Sequence, residues 1–218
     1  MNTRAWLLLS GTWLLVACTG TDLTTQPIIF NAEVAAAYQQ PDAVLSERRS
    51  PLRLADGTTV TDCTAYLAAL DHAPVEETTA NVTVRVEYRI CDTLAVLRDS
   101  AAPPGVALPL PAYAEGLRDR LDLRSFPSSL RQLADDYPTA ADLPDPMATS
   151  ISNAVLLIES ADWHYRLEVV AVVGTDADAG EDWLVWLTDE ALSGSYRDYR
   201  LLIISGANEP GYLTATVR

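Results

Sequence analysis

The 218-residue chain contains no lysine, since all 15 of its basic side chains are arginines. Schiff-base chemistry, lysine general bases and lysine-dependent phosphate loops are therefore excluded. Histidine is almost as scarce, because His72 and His164 are the two that occur. Neither belongs to a Gly-x-Ser-x-Gly nucleophile elbow or a His-Glu-x-x-His zinc motif, since the sequence contains neither pattern. Both histidines are expected to be structural or solvent-exposed, and the catalytic repertoire is narrow.

Positive charge is also scarce relative to negative charge. Thirty acidic residues against 15 basic ones give a formal net charge of −15 at neutral pH. A chain this acidic repels nucleic-acid phosphates, and its sequence contains no cluster of basic residues that could bind them. We therefore expect no nucleic-acid partner. An acidic body can steer a basic partner, although solubility is the plainer interpretation. The 49% apolar content is enough to bury a core.

Long hydrophobic runs are absent, because no stretch reaches the roughly 20 apolar residues that a membrane-spanning helix needs. The N-terminal apolar stretch, Ala5 to Ala17, has 13 residues and follows a start made basic by Arg4. A basic start, a short apolar stretch and a small-residue cleavage site are the parts of a secretory signal. A short transmembrane anchor is the alternative, and it fits this length poorly. We therefore assign residues 1–17 to a signal peptide.

The end of the signal is more specific. The sequence Leu15-Val16-Ala17-Cys18 resembles the lipobox of bacterial lipoproteins. The resemblance covers only the first twenty residues and implies nothing about the mature fold. It implies cleavage before Cys18, a diacylglycerol on its sulfur and an acyl chain on its new amino group, which together give stable anchoring. In Gram-negative members an Asp after the cysteine favours retention in the inner membrane, so Thr19 implies the periplasmic face of the outer membrane.

The cysteine count supports this address. Three cysteines are an odd number, which in an exported protein requires an explanation. Lipidation of Cys18 leaves Cys63 and Cys91, which an oxidising periplasm favours as a pair. That disulfide would close a loop of about 29 residues and stabilise the fold by roughly 3.5 kcal/mol. Two buried free thiols or a metal pair are the alternatives, and the lack of nearby ligand-spaced Cys or His disfavours metal.

The mature chain divides by composition into a tether and a body. Residues 18–27 are polar and predict a lipidated tether. Residues 28–137 predict a mainly helical region with the disulfide, and residues 150–218 predict an antiparallel sheet. We expect these last two regions to form one compact domain. A proline-rich stretch over 137–146 is the candidate boundary. The prediction is an α+β fold. Helices are expected within 31–49, 61–71, 112–121 and 128–136, and five strands at 150–159, 163–174, 182–188, 199–205 and 212–217.

One segment carries two patterns at once. From Asn81 to Ile90, valines alternate with polar residues in the manner of a strand with one wet face. Tyr88, Cys91 and Ala95 also recur at helical spacing, so a helix over about 84–97 competes. The β-branched content favours a strand over 81–90 followed by a helix over 92–98.

Acidic residues cluster in the turn from Asp176 to Asp182. Asp176, Asp178 and Asp182 alternate near a glycine, as in calcium loops. The EF-hand pattern requires glycine at the sixth position and glutamate at the twelfth. Here glycine is fifth and the twelfth residue is Leu187. A solvated hairpin turn is the plainer interpretation, a weak cation site the alternative, and no metal or other cofactor is expected.

Aromatic side chains concentrate in the predicted sheet. Trp163, Trp183 and Trp186 are candidate partner contacts, because tryptophans form hot spots in interfaces, although aromatic residues more often fill a core. Trp183 and Trp186 are an odd number of residues apart, so a regular strand points them to opposite faces. One of them is therefore a candidate for the surface or for a second packed layer.

Two classes of function remain. We favour a non-enzymatic lipoprotein that binds another envelope protein, either as an assembly or accessory subunit or as an immunity protein against a periplasmic toxin. The alternative is a cell-wall glycan binder or a peptidoglycan-active enzyme that uses paired carboxylates. Glu159, Glu168 and Glu190 are its first candidates, because they lie within predicted strands.

Overall fold

A computed structural model describes residues 26–70, 72–105, 107–175 and 180–218. The signal, Cys18 and most of the tether lie outside the described residues, as do Asp176 and Asp178. Across the described ranges, no helix combines the length and the apolar character that crossing a bilayer would require.

Helices dominate the first half and strands the second. The helices are α1 Ala32–Gln39, α2 Pro41–Ser46, α3 Cys63–Leu70, α4 Thr79–Asp99 and α5 Leu110–Arg120, with a 3₁₀ helix at Ser129–Gln132. The strands are β1 Ile28–Ile29, β2 Leu52–Arg53, β3 Thr59–Val60, β4 Ala148–Ser152, β5 Val155–Glu159, β6 Trp163–Val173, β7 Asp182–Ala191, β8 Arg197–Ile204 and β9 Ala215–Val217. This arrangement confirms the predicted α+β fold.

The C-terminal strands form one antiparallel sheet in the order β4-β5-β6-β7-β8-β9. β1 adds to β6 at Ala171 and Val172, beyond the residues that pair with β5. The expected count of about five strands is one too low, because segment 150–159 is a hairpin. It turns at Asn153, which adopts the left-handed φ of 54° that asparagine tolerates better than most residues.

The sheet is packed on both faces, as the alternation of side chains along β7 shows. Trp183 and Val185 belong to a core cluster with α5, while Leu184 and Trp186 belong to a second cluster with α1, α3 and α4. The prediction that the two tryptophans point to opposite faces is therefore confirmed, and the second packed layer exists.

Local side chains determine where the first helical region begins and where it breaks. The Asn31 side chain accepts hydrogen bonds from the backbone N–H groups of Glu33 and Val34, at 2.9 and 3.1 Å, and so caps α1. Pro41 occupies the first position of α2, where its missing N–H is not needed. The segment 31–49, predicted to be helical, thus forms two short helices.

The predicted strand over 81–90 is wrong, because these residues lie within α4. Thr78 caps that helix by accepting from the N–H of Asn81. Tyr88, Cys91 and Ala95 form its buried stripe, whereas Val86 is 38% exposed. Packing of that stripe, and the bond from Cys91 to α3, outweigh the strand preference of the valines, which is a weak and context-dependent term.

Candidate functional site

Cys63 and Cys91 are joined by a disulfide that links α3 to α4. Their Cα atoms are 5.2 Å apart, and both side chains are completely buried. The bond therefore fixes the two helices that enclose the cavity described below.

Two of the three tryptophans predicted as partner contacts lie in the core. Trp183 and Trp186 are buried, and their indole N–H groups donate to Glu181 and to the Thr93 hydroxyl at 2.7 and 2.9 Å. Trp163 is half-buried and stacks against Tyr165 with ring centroids 6.0 Å apart. Of the three, Trp163 alone retains substantial exposure.

Asp182, one of the three residues of the candidate cation site, has a structural role. It is completely buried, and its carboxylate accepts from the Thr175 N–H and hydroxyl and from the Gly206 N–H, at 2.7, 2.6 and 3.0 Å. These bonds tie Thr175, before β7, to Gly206, after β8. In the described part of the chain, no group of three or more His, Cys, Asp or Glu residues is arranged to hold a metal ion.

The three candidate carboxylates lie on one face of the sheet. Glu159, Glu168 and Glu190 belong to β5, β6 and β7 and share the side that α4 covers farther along. Glu159 contacts the His164 ring at 3.2 Å, and Glu190 accepts from the Tyr199 hydroxyl. Glycoside hydrolysis needs two carboxyl groups that face each other across a cleft. Here the carboxylates lie side by side on one sheet face, and Glu159 and Glu190 are each bonded to a neighbouring side chain.

We call the uncovered end of this face the open sheet face. It consists of paired residues from four neighbouring strands: Leu157, Glu159, His164, Arg166, Thr188, Glu190, Arg197 and Tyr199. All eight side chains are partly or fully exposed. Two glutamates and two arginines lie on this face, and Arg166 also pairs with Glu168 just beyond it. Exposed Leu192 lies beside the face in the turn between β7 and β8. The ring of Tyr196, in the same turn, instead contacts Trp163, and its hydroxyl donates to Asp189, both on the opposite face.

A second feature was not anticipated from the sequence. A cavity of about 420 Å³ lies among α3, α4, β8 and the end of β9. Its charged and aromatic lining includes Arg85, Arg89, Asp92, Tyr199, Arg200 and Arg218. We call it the arginine cavity.

Arg89 is held in the cavity wall by aromatic rings. Its guanidinium carbon lies 4.6 Å from the ring centre of Trp186 and 5.4 Å from that of Tyr199. One terminal nitrogen donates to the Thr188 hydroxyl at 3.2 Å, while the buried Nε has no hydrogen-bond partner in the described structure. Burial lowers the pKa of the guanidinium, so the surrounding rings offset part of a desolvation cost.

Asp92 lies in the same wall and is 6% exposed. Its Oδ2 accepts from the Tyr66 hydroxyl at 3.1 Å, and its buried Oδ1 has no partner among the described residues. Burial raises its pKa to about 7, although the Tyr66 hydrogen bond and the charges of Arg218 and Arg85 oppose that rise. Near neutral pH, a large fraction of the Asp92 carboxyl groups therefore carry a proton.

His72 and His164 do not enter the arginine cavity. His72 is exposed just after α3, and His164 lies on the open sheet face. Comparison of the chain with protein-family models, with curated proteins and with solved structures finds no match.

Proposed function

We propose that this chain is a lipoprotein, anchored through Cys18 to the periplasmic face of a bacterial outer membrane, that binds another envelope protein without catalysing a reaction. It would act as an assembly or accessory subunit, or as an immunity protein against a periplasmic toxin. The lipobox supports the anchor. The disulfide is consistent with an oxidising compartment.

The observation that carries the binding half of the proposal is the open sheet face. At these positions the opposite side of the sheet packs in the core cluster with α5, while this side belongs to neither core cluster and stays accessible to a partner, as one face of an antiparallel sheet can. Arginine is enriched in protein interfaces, and Arg166 and Arg197 are partly exposed there. Leu192, 59% exposed, supplies an apolar anchor beside it.

Replacing Cys18 by serine is expected to lower the outer-membrane fraction by more than about tenfold, because the acyl chains supply the anchoring free energy. Membrane fractionation on a density gradient and radiolabelling with palmitate measure the effect. Thr19→Asp is the matched variant, because it keeps the lipid and is expected to move the protein to the inner membrane. An unchanged distribution of Cys18→Ser would overturn the anchor.

The partner is tested by photo-crosslinking in intact cells. A crosslinking amino acid at Leu192 or Arg166 is expected to give an adduct with the same envelope protein. Tyr212, 61% exposed in the loop before β9, is the matched control and should not give that adduct. Arg197→Glu is expected to weaken the interaction by about tenfold, because it places a third glutamate on the face. Equal crosslinking from Tyr212 would count against this surface.

A further inference from the structure

We propose that the arginine cavity binds a small organic monocarboxylate with an apolar body, whose carboxylate meets Arg89 and its neighbouring arginines. This inference does not depend on the proposed function, which uses the open sheet face. It rests on the charge of the cavity, the fixed position of Arg89, the unpartnered Asp92 and the apolar wall.

The charge of the cavity selects an anion. Although the whole chain carries −15, four arginines and one aspartate line this space. Arg85 and Arg200 share Asp198, at 3.7 and 2.6 Å, so their charges are partly balanced. Arg89 and Arg218 have no carboxylate within 4.0 Å in the described structure. The cavity is therefore a positive site on an acidic protein, and an anion balances it.

The position of Arg89 favours a planar anion. Its guanidinium is stacked over two rings and bonded to Thr188, so little side-chain entropy remains to be lost on binding. A planar fork of N–H donors matches a carboxylate better than it matches a spherical ion.

Asp92 provides a complementary contact. It is more than nine-tenths buried, lines the cavity and has one carboxyl oxygen without a partner. In its protonated form it can donate a hydrogen bond to the ligand, as an ionised carboxylate cannot. The titratable groups around it are Tyr66 on α3, Arg85 and Arg89 on α4, Tyr199 and Arg200 on β8, and Arg218 after β9.

The rest of the wall is aliphatic and selects an apolar body. The apolar lining comes from α3, the segment after it, β8 and β9: Leu67, Leu70, Pro74, Val75, Leu201 and Val217. A volume of about 420 Å³ lies within the range of small-molecule sites, which combine apolar walls with a few placed polar groups. Inorganic phosphate would leave these walls without contacts, which is why a carboxylate with an apolar body fits better.

The test is calorimetric titration of the full chain, purified in detergent, with phenylacetate, after subtraction of a detergent blank. We expect saturable binding that is at least about tenfold tighter than that of 2-phenylethanol or inorganic phosphate, because each lacks one of the two contacts. Arg89→Gln is expected to weaken phenylacetate binding by about tenfold or more. Arg118→Gln, on α5 outside the cavity, is the matched control. Arg218→Gln, at the exposed rim, replaces Arg89→Gln if that variant fails to fold.

The pH dependence of binding separates this site from a generic cationic patch. Affinity for phenylacetate is expected to fall about tenfold between pH 6 and pH 8, as Asp92 ionises and repels the ligand. Asp92→Asn should bind with similar affinity at both pH values. Absence of saturable binding, equal binding of the alcohol or of phosphate, or full affinity in the arginine variants would each overturn the proposal.

Discussion

Replacing Cys63 and Cys91 together by serine is expected to lower the free energy of unfolding by about 3.5 kcal/mol. The bond closes a loop of about 29 residues, and its loss restores the chain entropy of that loop to the unfolded state. Both positions are completely buried, so the serine hydroxyls add a desolvation cost. For a chain of this size the melting temperature should fall by about 10 °C, measured by circular dichroism.

The oxidised and reduced proteins provide the control for this experiment. Reductant should destabilise the wild type towards the level of the double variant, and should leave the variant itself unchanged. Because both sulfurs are inaccessible in the folded state, the wild type must be reduced under partly unfolding conditions. A double variant that melts within about 2 °C of the wild type would contradict a stabilising role for the bond.

The C-terminal sheet could be predicted because its signals are local. Apolar, β-branched runs are separated there by polar turns, and the parity of Trp183 and Trp186 is enough to place them on opposite faces. The burial of both tryptophans could not be predicted, since it depends on α5 and α4 covering the two faces. The hairpin within 150–159 was missed because its turn, Asn153-Ala154, lacks the glycine that usually marks a two-residue connection.

The misassignment of residues 81–90 shows where local pattern is insufficient. The alternating valines fit the two-residue period of a strand, and Tyr88, Cys91 and Ala95 in the same segment fit the period of a helix. What decides between them is the packing of that stripe against α3 and the sheet, which lies outside the segment. Strand preference amounts to about 1 kcal/mol across its scale, and burial of one large side chain exceeds it.

That same error concealed the arginine cavity. In a strand, Arg85 and Arg89 lie on a wet face and need no explanation, while Asp92 falls in another element. In a helix, residues 85, 89 and 92 are separated by four and three positions and share one face. A sequence cue therefore existed, but it became informative only once the helix was known. The contacts with Tyr199 and Arg200 of β8 are long-range and had no sequence signal.

Burial of Asp92 also makes the stability of the folded protein depend on pH. Burial raises its pKa from the ordinary value of 3.8 to about 7. The folded state therefore holds the proton more tightly than the unfolded state. This contribution to stability is complete below about pH 3.8, declines as the pH rises through about 7, and is constant above that. Carboxylates with a lowered pKa, such as Glu87 and Asp122, act in the opposite direction and only in more acidic solution.

Asp92→Asn is accordingly expected to gain stability relative to the wild type as the pH rises. Between pH 5 and pH 8 the gain should be about 2.7 kcal/mol, since the group loses roughly 1.4 kcal/mol per pH unit until its folded pKa is reached. Urea unfolding of both proteins at the two pH values measures it. Asp189, whose pKa burial also raises, is present in both proteins and cancels. Asp122→Asn is the control and should show no such gain. If the difference in free energy of unfolding between Asp92→Asn and the wild type is the same at both pH values, Asp92 is already ionised in the folded protein at pH 5. The cavity would then hold a negative charge that repels an anionic ligand, instead of a protonated carboxyl group that donates a hydrogen bond to it.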